Sequence, residues 1–278
     1  MPDSADYARD LSVSLWRVGD MSLSGGRFGD ALVYFRRVFG LYERLGERRY
    51  DKSLFLNLAL AELGLGNVAE SRDHYHLGLA LAKETADRNF EGIYLNNLGE
   101  LAARTGQFEE SIALYGEALA LAKQSGETAR MLPRLAGLGY AHQWFGHLAE
   151  ARVCYQEALA LEVEEPSADA ALGLGILSLE DGHPVEAPIH LCRALELSRA
   201  ALSKNPDSFE DCYRLALALL ASGRAEESLS AYQRALGCCS ARGVLEEQAQ
   251  HLDLLQRASP AHPDLAAVRA LLDPMAPG

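Results

Sequence analysis

The chain has 278 residues, 49% of them hydrophobic, enough to build a sizeable core in one or two folded bodies. Ala, Leu, Glu and Arg are plentiful while Val and Ile are sparse, which favours helices and leaves a β-rich fold little to build with. A formal net charge of −13 excludes the basic surface that nucleic-acid backbones require, and no apolar run approaches the ~20 residues of a membrane span.

A glycine with recurring surroundings marks the chain from end to end: GRFGDA at Gly26, GNVAES at Gly66, GQFEES at Gly106, GHLAEA at Gly146, GHPVEA at Gly182 and GRAEES at Gly223. The intervals are 40, 40, 40, 36 and 41 residues. Each glycine closes one amphipathic segment and precedes an acidic turn that opens the next. Glycine relieves the left-handed backbone that ends a helix, and acids suit the positive end of the helix that follows.

Alignment on these glycines exposes further columns. Seven residues earlier stands a small residue every time: Gly19, Ala59, Gly99, Gly139, Gly175 and Ala216. Five residues later come Ala31, Ser71, Ser111, Ala151, Ala187 and Ser228, and four beyond those Phe35, Tyr75, Tyr115, Tyr155, Leu191 and Tyr232. Antiparallel helices joined by a short turn cross at about 8–10 Å, so the closest points admit only small side chains. The large residue then fills the space between its own pair and the next. The spacing predicts six helix-turn-helix units over residues 1–243, the fourth shortened at Glu162–Pro166 and the sixth preceded by a loop at Asn205-Pro206-Asp207. Residues 244–258 continue the register as a first helix, Pro260 and Pro263 break it, and 264–273 suit a short last helix; 244–273 is thus a degenerate seventh unit expected to cap the stack, with a tail to 278. Its ends should exchange amide hydrogens faster than its middle.

No constellation of catalytic groups accompanies this pattern. Five cysteines (Cys154, Cys192, Cys212, Cys238, Cys239) make an odd set without paired spacing and read as packed thiols. His74 and His76 diverge on a helix, and His142 with His147 lacks a third ligand, so no metal is expected. Phosphate-loop, nucleophile-elbow and zinc-protease motifs are absent from the sequence. The expected protein is not an enzyme, carries no cofactor, and works in the cytoplasm without nucleic acid or membrane.

The columns resemble the tetratricopeptide repeat family over roughly residues 12–240, most clearly in YLNNLGELAARTGQFEESIALYGEALALAKQ (Tyr94–Gln124). A period near 40 resembles the longer subtype of that repeat. Two features depart from it: the aromatic expected late in the first helix is replaced by Ser22, Glu62, Ala102, His142, Ser178 and Leu219, and the closing proline is missing.

The resemblance implies an all-α right-handed superhelix, a solenoid whose first helices line a concave groove. Carried over, the groove positions are Asn57, Asn96, Asn97, Glu100, Arg104, Tyr140 and Trp144 as principal binding residues, with Gly137, Gln143, Tyr213 and Arg214 among their neighbours. Asn57 and Asn97 would bond a partner's main chain, since an amide donates and accepts at once. Glu100 and Arg104 would set register. Tyr140 and Trp144 would either bury an apolar anchor or pack on the adjacent unit. The basic residues of the carboxylate-clamp version are replaced by Ser53, Pro133 and Gly137, so that ligand class is not expected. The expected function is a scaffold or adaptor holding a peptide segment or helix of another protein, with the acidic balance favouring a basic one. The alternatives are a self-associating structural module and a regulatory array controlling an effector domain. The oligomeric state is open, with a monomer favoured.

Overall fold

The computed structural model describes residues 4–46 and 52–273. Among them fourteen helices and no strand occur: α1 (Ser4–Ser24), α2 (Phe28–Leu45), α3 (Lys52–Gly64), α4 (Val68–Glu84), α5 (Arg88–Arg104), α6 (Phe108–Ser125), α7 (Thr128–Phe145), α8 (Leu148–Ala160), α9 (Ala168–Glu180), α10 (Ala187–Lys204), α11 (Phe209–Ala221), α12 (Ala225–Cys238), α13 (Arg242–Ala258) and α14 (Leu265–Leu272). This is the all-α helical-repeat class that the glycine spacing predicts.

The six turn glycines all take the left-handed conformation, with φ between 68° at Gly26 and 89° at Gly146. Each is followed by the same backbone bond, from the next N–H to the carbonyl five residues earlier. Arg27 reaches Ser22 at 2.9 Å, Gln107 reaches Ala102 at 2.8 Å, His147 reaches His142 at 2.9 Å and Arg224 reaches Leu219 at 3.0 Å. These bonds satisfy carbonyls that a helix end leaves orphaned.

Packing follows the columns. The large residue of each second helix is at most 4% exposed, from Phe35, Tyr75 and Tyr232 at 0% to Tyr115 at 4%. It sits against the small residue of its own pair. A Cβ added at Gly139 would stand 2.7 Å from the Tyr155 ring, and one added at Gly175 would stand 2.7 Å from Leu191. The following first helix meets the same ring from the other side, where a Cβ at Gly137 would fall 2.4 Å from Tyr115 and one at Gly173 2.5 Å from Tyr155. Gly137 therefore serves as a packing contact for Tyr115 rather than as groove lining. The serine column adds polar ties, Ser111 Oγ donating to the Gly99 carbonyl at 2.7 Å and Ser228 Oγ to that of Ala216 at 3.0 Å.

The chain divides into two compact units, residues 1–94 with 241–244 and residues 95–240 with 245–278. In the first, α1 packs on α2, α2 on α3 and α3 on α4, and α1 also touches α3. Late in α3, Glu62 is buried but fully engaged, pairing with Arg36 at 2.7 Å and accepting from Asn67 Nδ2 at 2.7 Å. In the second, hairpins α7–α8, α9–α10 and α11–α12 stack through α8–α9 and α10–α11. The first helices α7, α9 and α11 lie side by side there and share one face. α14 packs on α12 and buries Leu265, Val268 and Leu272.

Candidate binding groove

Within the second unit, the expected groove residues Asn96, Asn97, Glu100 and Arg104 lie on α5, and Tyr140 and Trp144 on α7. One helical turn separates Glu100 from Arg104 on α5, and their charged groups approach to 3.7 Å. One turn also separates Tyr140 from Trp144 on α7, with ring centres 6.3 Å apart at 72°. Phe108, at the start of α6, stacks on the Trp144 indole at 5.5 Å with the planes 4° from parallel. Trp144 is thus fixed by a neighbouring hairpin.

The chain's own α13 lies against these helices. Glu247 approaches Arg104 at 3.4 Å, and Gln250 Nε2 donates to the Arg104 carbonyl at 2.5 Å. The His251 ring meets Tyr140 edge-on at 5.6 Å. Arg257 reaches furthest: its guanidinium lies 5.1 Å from the centre of the Trp144 ring and 2.7 Å from a Glu180 carboxylate oxygen. The same group donates to the carbonyls of Trp144 at 3.1 Å and Gln143 at 2.5 Å. Sequence reading expects residues 244–273 to cap the stack, and periodicity alone does not mark which inner residues α13 would meet. α13 also buries Val244, Leu252, Leu254 and Leu255, so the helix combines apolar anchorage with these polar contacts.

The electrostatics follow from this contact. Burial, and then the neighbouring Glu247 carboxylate, push the Glu100 carboxyl up to about 7 against the pull of Arg104. Glu100 nonetheless keeps 40% of its side-chain surface, which describes a crevice rather than a packed interior. Burial lowers His251 and so favours its neutral ring, and burial raises the Tyr140 phenol well above its ordinary range.

The remaining expected residues separate by location. Asn57 belongs to the first unit, where its Nδ2 donates to Asp20 at 2.7 Å, while burial raises the Asp20 carboxyl. Asn96 and Asn97 are half-buried on α5, and the Asn96 amide oxygen is enclosed with no hydrogen-bond partner. Tyr213 is 1% exposed and donates to the Cys239 carbonyl at 2.7 Å, so it is core rather than groove. Arg214 pairs with Asp169 at 2.5 Å across the shared face. Glu180 and the α13 side chains are the groove residues that repeat positions do not reveal. No group of three His, Cys, Asp or Glu among the described residues is placed to hold a metal, and no described helix is long and apolar enough to cross a membrane.

Residues 51–124 and 192–243 match two family models, both described as tetratricopeptide repeat. No curated protein matches the chain. Among solved structures, a Rap protein complexed with Competence and Sporulation Factor is similar with a TM-score of 0.73 at 13% identity, over 94% of this chain and 74% of that one. NprR in complex with its cognate peptide NprX gives 0.66 at 15%, over 91% and 71%. PilF of Pseudomonas aeruginosa gives 0.55 at 18%, over 97% and 100%. At these identities the likeness is one of fold.

Proposed function

As a tetratricopeptide repeat protein, this chain is, we propose, a non-enzymatic adaptor that holds a peptide segment or helix of another protein along the inner face of its first helices. A protein-interaction scaffold is the general role of such repeats, because each unit offers a first helix to a continuous face and little else. The observation that carries the narrower reading is α13 itself. Arg104, Tyr140 and Trp144 already receive a helix through a charge pair, an edge-on ring contact and a cation–π contact. The similar Rap protein is complexed with Competence and Sporulation Factor and NprR with its cognate peptide NprX, which supports the same use of the fold here. Asn97 and Glu100 stay partly exposed on α5 and would meet an incoming segment. The Glu180 carboxylate on this face favours a partner with basic side chains, which would also draw Glu100 toward its ionised form.

The test is to pan a displayed library of random peptides against the full chain and measure the enriched sequences on single variants. Interfaces concentrate their energy in aromatic and Arg residues, so Arg104→Ala or Trp144→Ala should cost about 2 kcal/mol of affinity. Asn97→Ala should cost about 1 kcal/mol, the net worth of an ordinary hydrogen bond. Enriched peptides that bind all three folded variants as well as the parent would show that the groove is not the binding surface.

A further inference from the structure

The place where Arg257 ends is a built receptor for a guanidinium. Four partners converge on it: the Trp144 ring centre at 5.1 Å, the Trp144 and Gln143 carbonyls at 3.1 and 2.5 Å, and the Glu180 carboxylate at 2.7 Å. The two carbonyls belong to the last turn of α7, where a helix end carries partial negative charge, and that of Gln143 also accepts from the Gly146 N–H at 3.1 Å. Such a set suits arginine, whose planar fork donates in several directions while its face stacks on an aromatic ring.

None of these partners depends on Arg257 for its position. Phe108 stacks on Trp144, and the left-handed Gly146 ends α7 and sets the direction of its last carbonyls. Glu180 accepts from Gln143 Nε2 at 2.9 Å, and Gln143 is itself fully buried and bonded by the Tyr155 hydroxyl at 3.2 Å. With Arg257 in place the Glu180 side chain is only 12% exposed, so the pair is held largely away from water. Arg257, in contrast, is an edge residue of α13 with 35% of its side chain exposed. The anchorage of α13 lies elsewhere, in Leu252, Leu254 and Leu255, each no more than 2% exposed. Arg257 can therefore swing into solvent while α13 stays in place.

We propose that this pocket is an arginine-recognition subsite of the groove, filled in cis by Arg257 and taken over by an arginine of the partner segment. The proposal rests on the groove being the partner's binding surface, and it names one side chain that the partner must present. Arg257 then acts as an internal competitor that sets a threshold for binding.

Arg257→Ala in the full chain empties the pocket without touching its walls. Ethylguanidinium at millimolar concentration should raise the Tm of Arg257→Ala, ethylammonium should not, and the gain should vanish in Arg257→Ala with Glu180→Gln. Absence of that selective rescue in a variant of unchanged helical circular dichroism overturns the subsite. A capped peptide of residues 253–258 should bind Arg257→Ala about tenfold more tightly than it binds the parent, and the same peptide carrying Arg257→Lys should lose that gain. Rescue without the peptide preference overturns the takeover by a partner's arginine. Neither result depends on the peptide library, so failure of the groove reading and failure of the subsite are separately visible.

Discussion

At the residue scale, two serines in the same column make opposite predictions. Ser111 Oγ donates to the Gly99 carbonyl at 2.7 Å, whereas Ser71 Oγ is enclosed with no partner. Ser111→Ala should cost about 1 kcal/mol in urea unfolding, while Ser71→Ala, which removes an unsatisfied buried group, should be neutral or stabilising. Equal losses at both sites would sink the hydrogen-bond account. Gly99 faces the same crossing, with an added Cβ 3.1 Å from the Tyr115 ring, so Gly99→Leu or Ser111→Leu should overpack it and cost at least about 1–3 kcal/mol. Glu100 supplies a pH test. Its carboxyl rises from an ordinary 4.5 to about 7, so the folded protein binds its proton more tightly than the unfolded chain. Stability is then lost as pH climbs through that interval. Glu100→Gln should raise Tm at pH 8 and leave it unchanged near pH 4. His251, shifted the other way by burial, is common to both proteins and drops out of the difference. A gain that is equal at both pH values would show that the carboxyl's charge is not the cause.

At the element scale, α13 combines buried leucines with a set of polar groove contacts, and the two sets should report differently. Leu255 is 0% exposed, so Leu255→Ala should cost about 2–5 kcal/mol, chiefly by leaving a cavity. Glu247→Gln removes one charge pair to Arg104 but also the repulsion with Glu100, and should change stability by less than about 1 kcal/mol. Hydrogen exchange separates α14 from the end-fraying expected of a stack. With Leu265, Val268 and Leu272 buried against α12, amides over residues 265–272 should exchange more slowly than those of Ser259–His262. Fast exchange throughout 259–272 would mean that α14 does not hold its contact.

At the scale of the whole molecule, energy is carried between successive hairpins. In the second unit α7 touches α8 and α9, and α11 touches α9, α10 and α12. Leu135 on α7 and Leu219 on α11, at 0% and 3% exposure, thus lie on helices joined through α9 rather than packed on one another. Their Leu→Ala costs should add within about 0.5 kcal/mol in the double variant. A larger interaction term would mean that the hairpins unfold as one cooperative block with shared strain.

Local physics made much of this protein legible from its residues. A left-handed helix end nearly demands glycine, so the six glycines from Gly26 to Gly223 mark the turns in the sequence itself. A close crossing demands small residues opposite a large one, so Gly139 and Tyr155 announced each other across 16 positions. Where a side chain is not constrained by its own hairpin, position in the repeat misleads: Tyr213 occupies a groove position yet turns inward to the Cys239 carbonyl. The groove's occupant was less visible still. α13 has the helical periodicity of any first helix, and Arg257 meets Glu180 across 77 residues with no local pattern to connect them. Sequence alone determined the helices, their turns and their pairing, because those are set by backbone conformation and neighbours one hairpin away. Tertiary structure decided which inner side chains are already engaged, because that depends on contacts between segments remote in the chain, whose chemistry is complementary only once the fold brings them together.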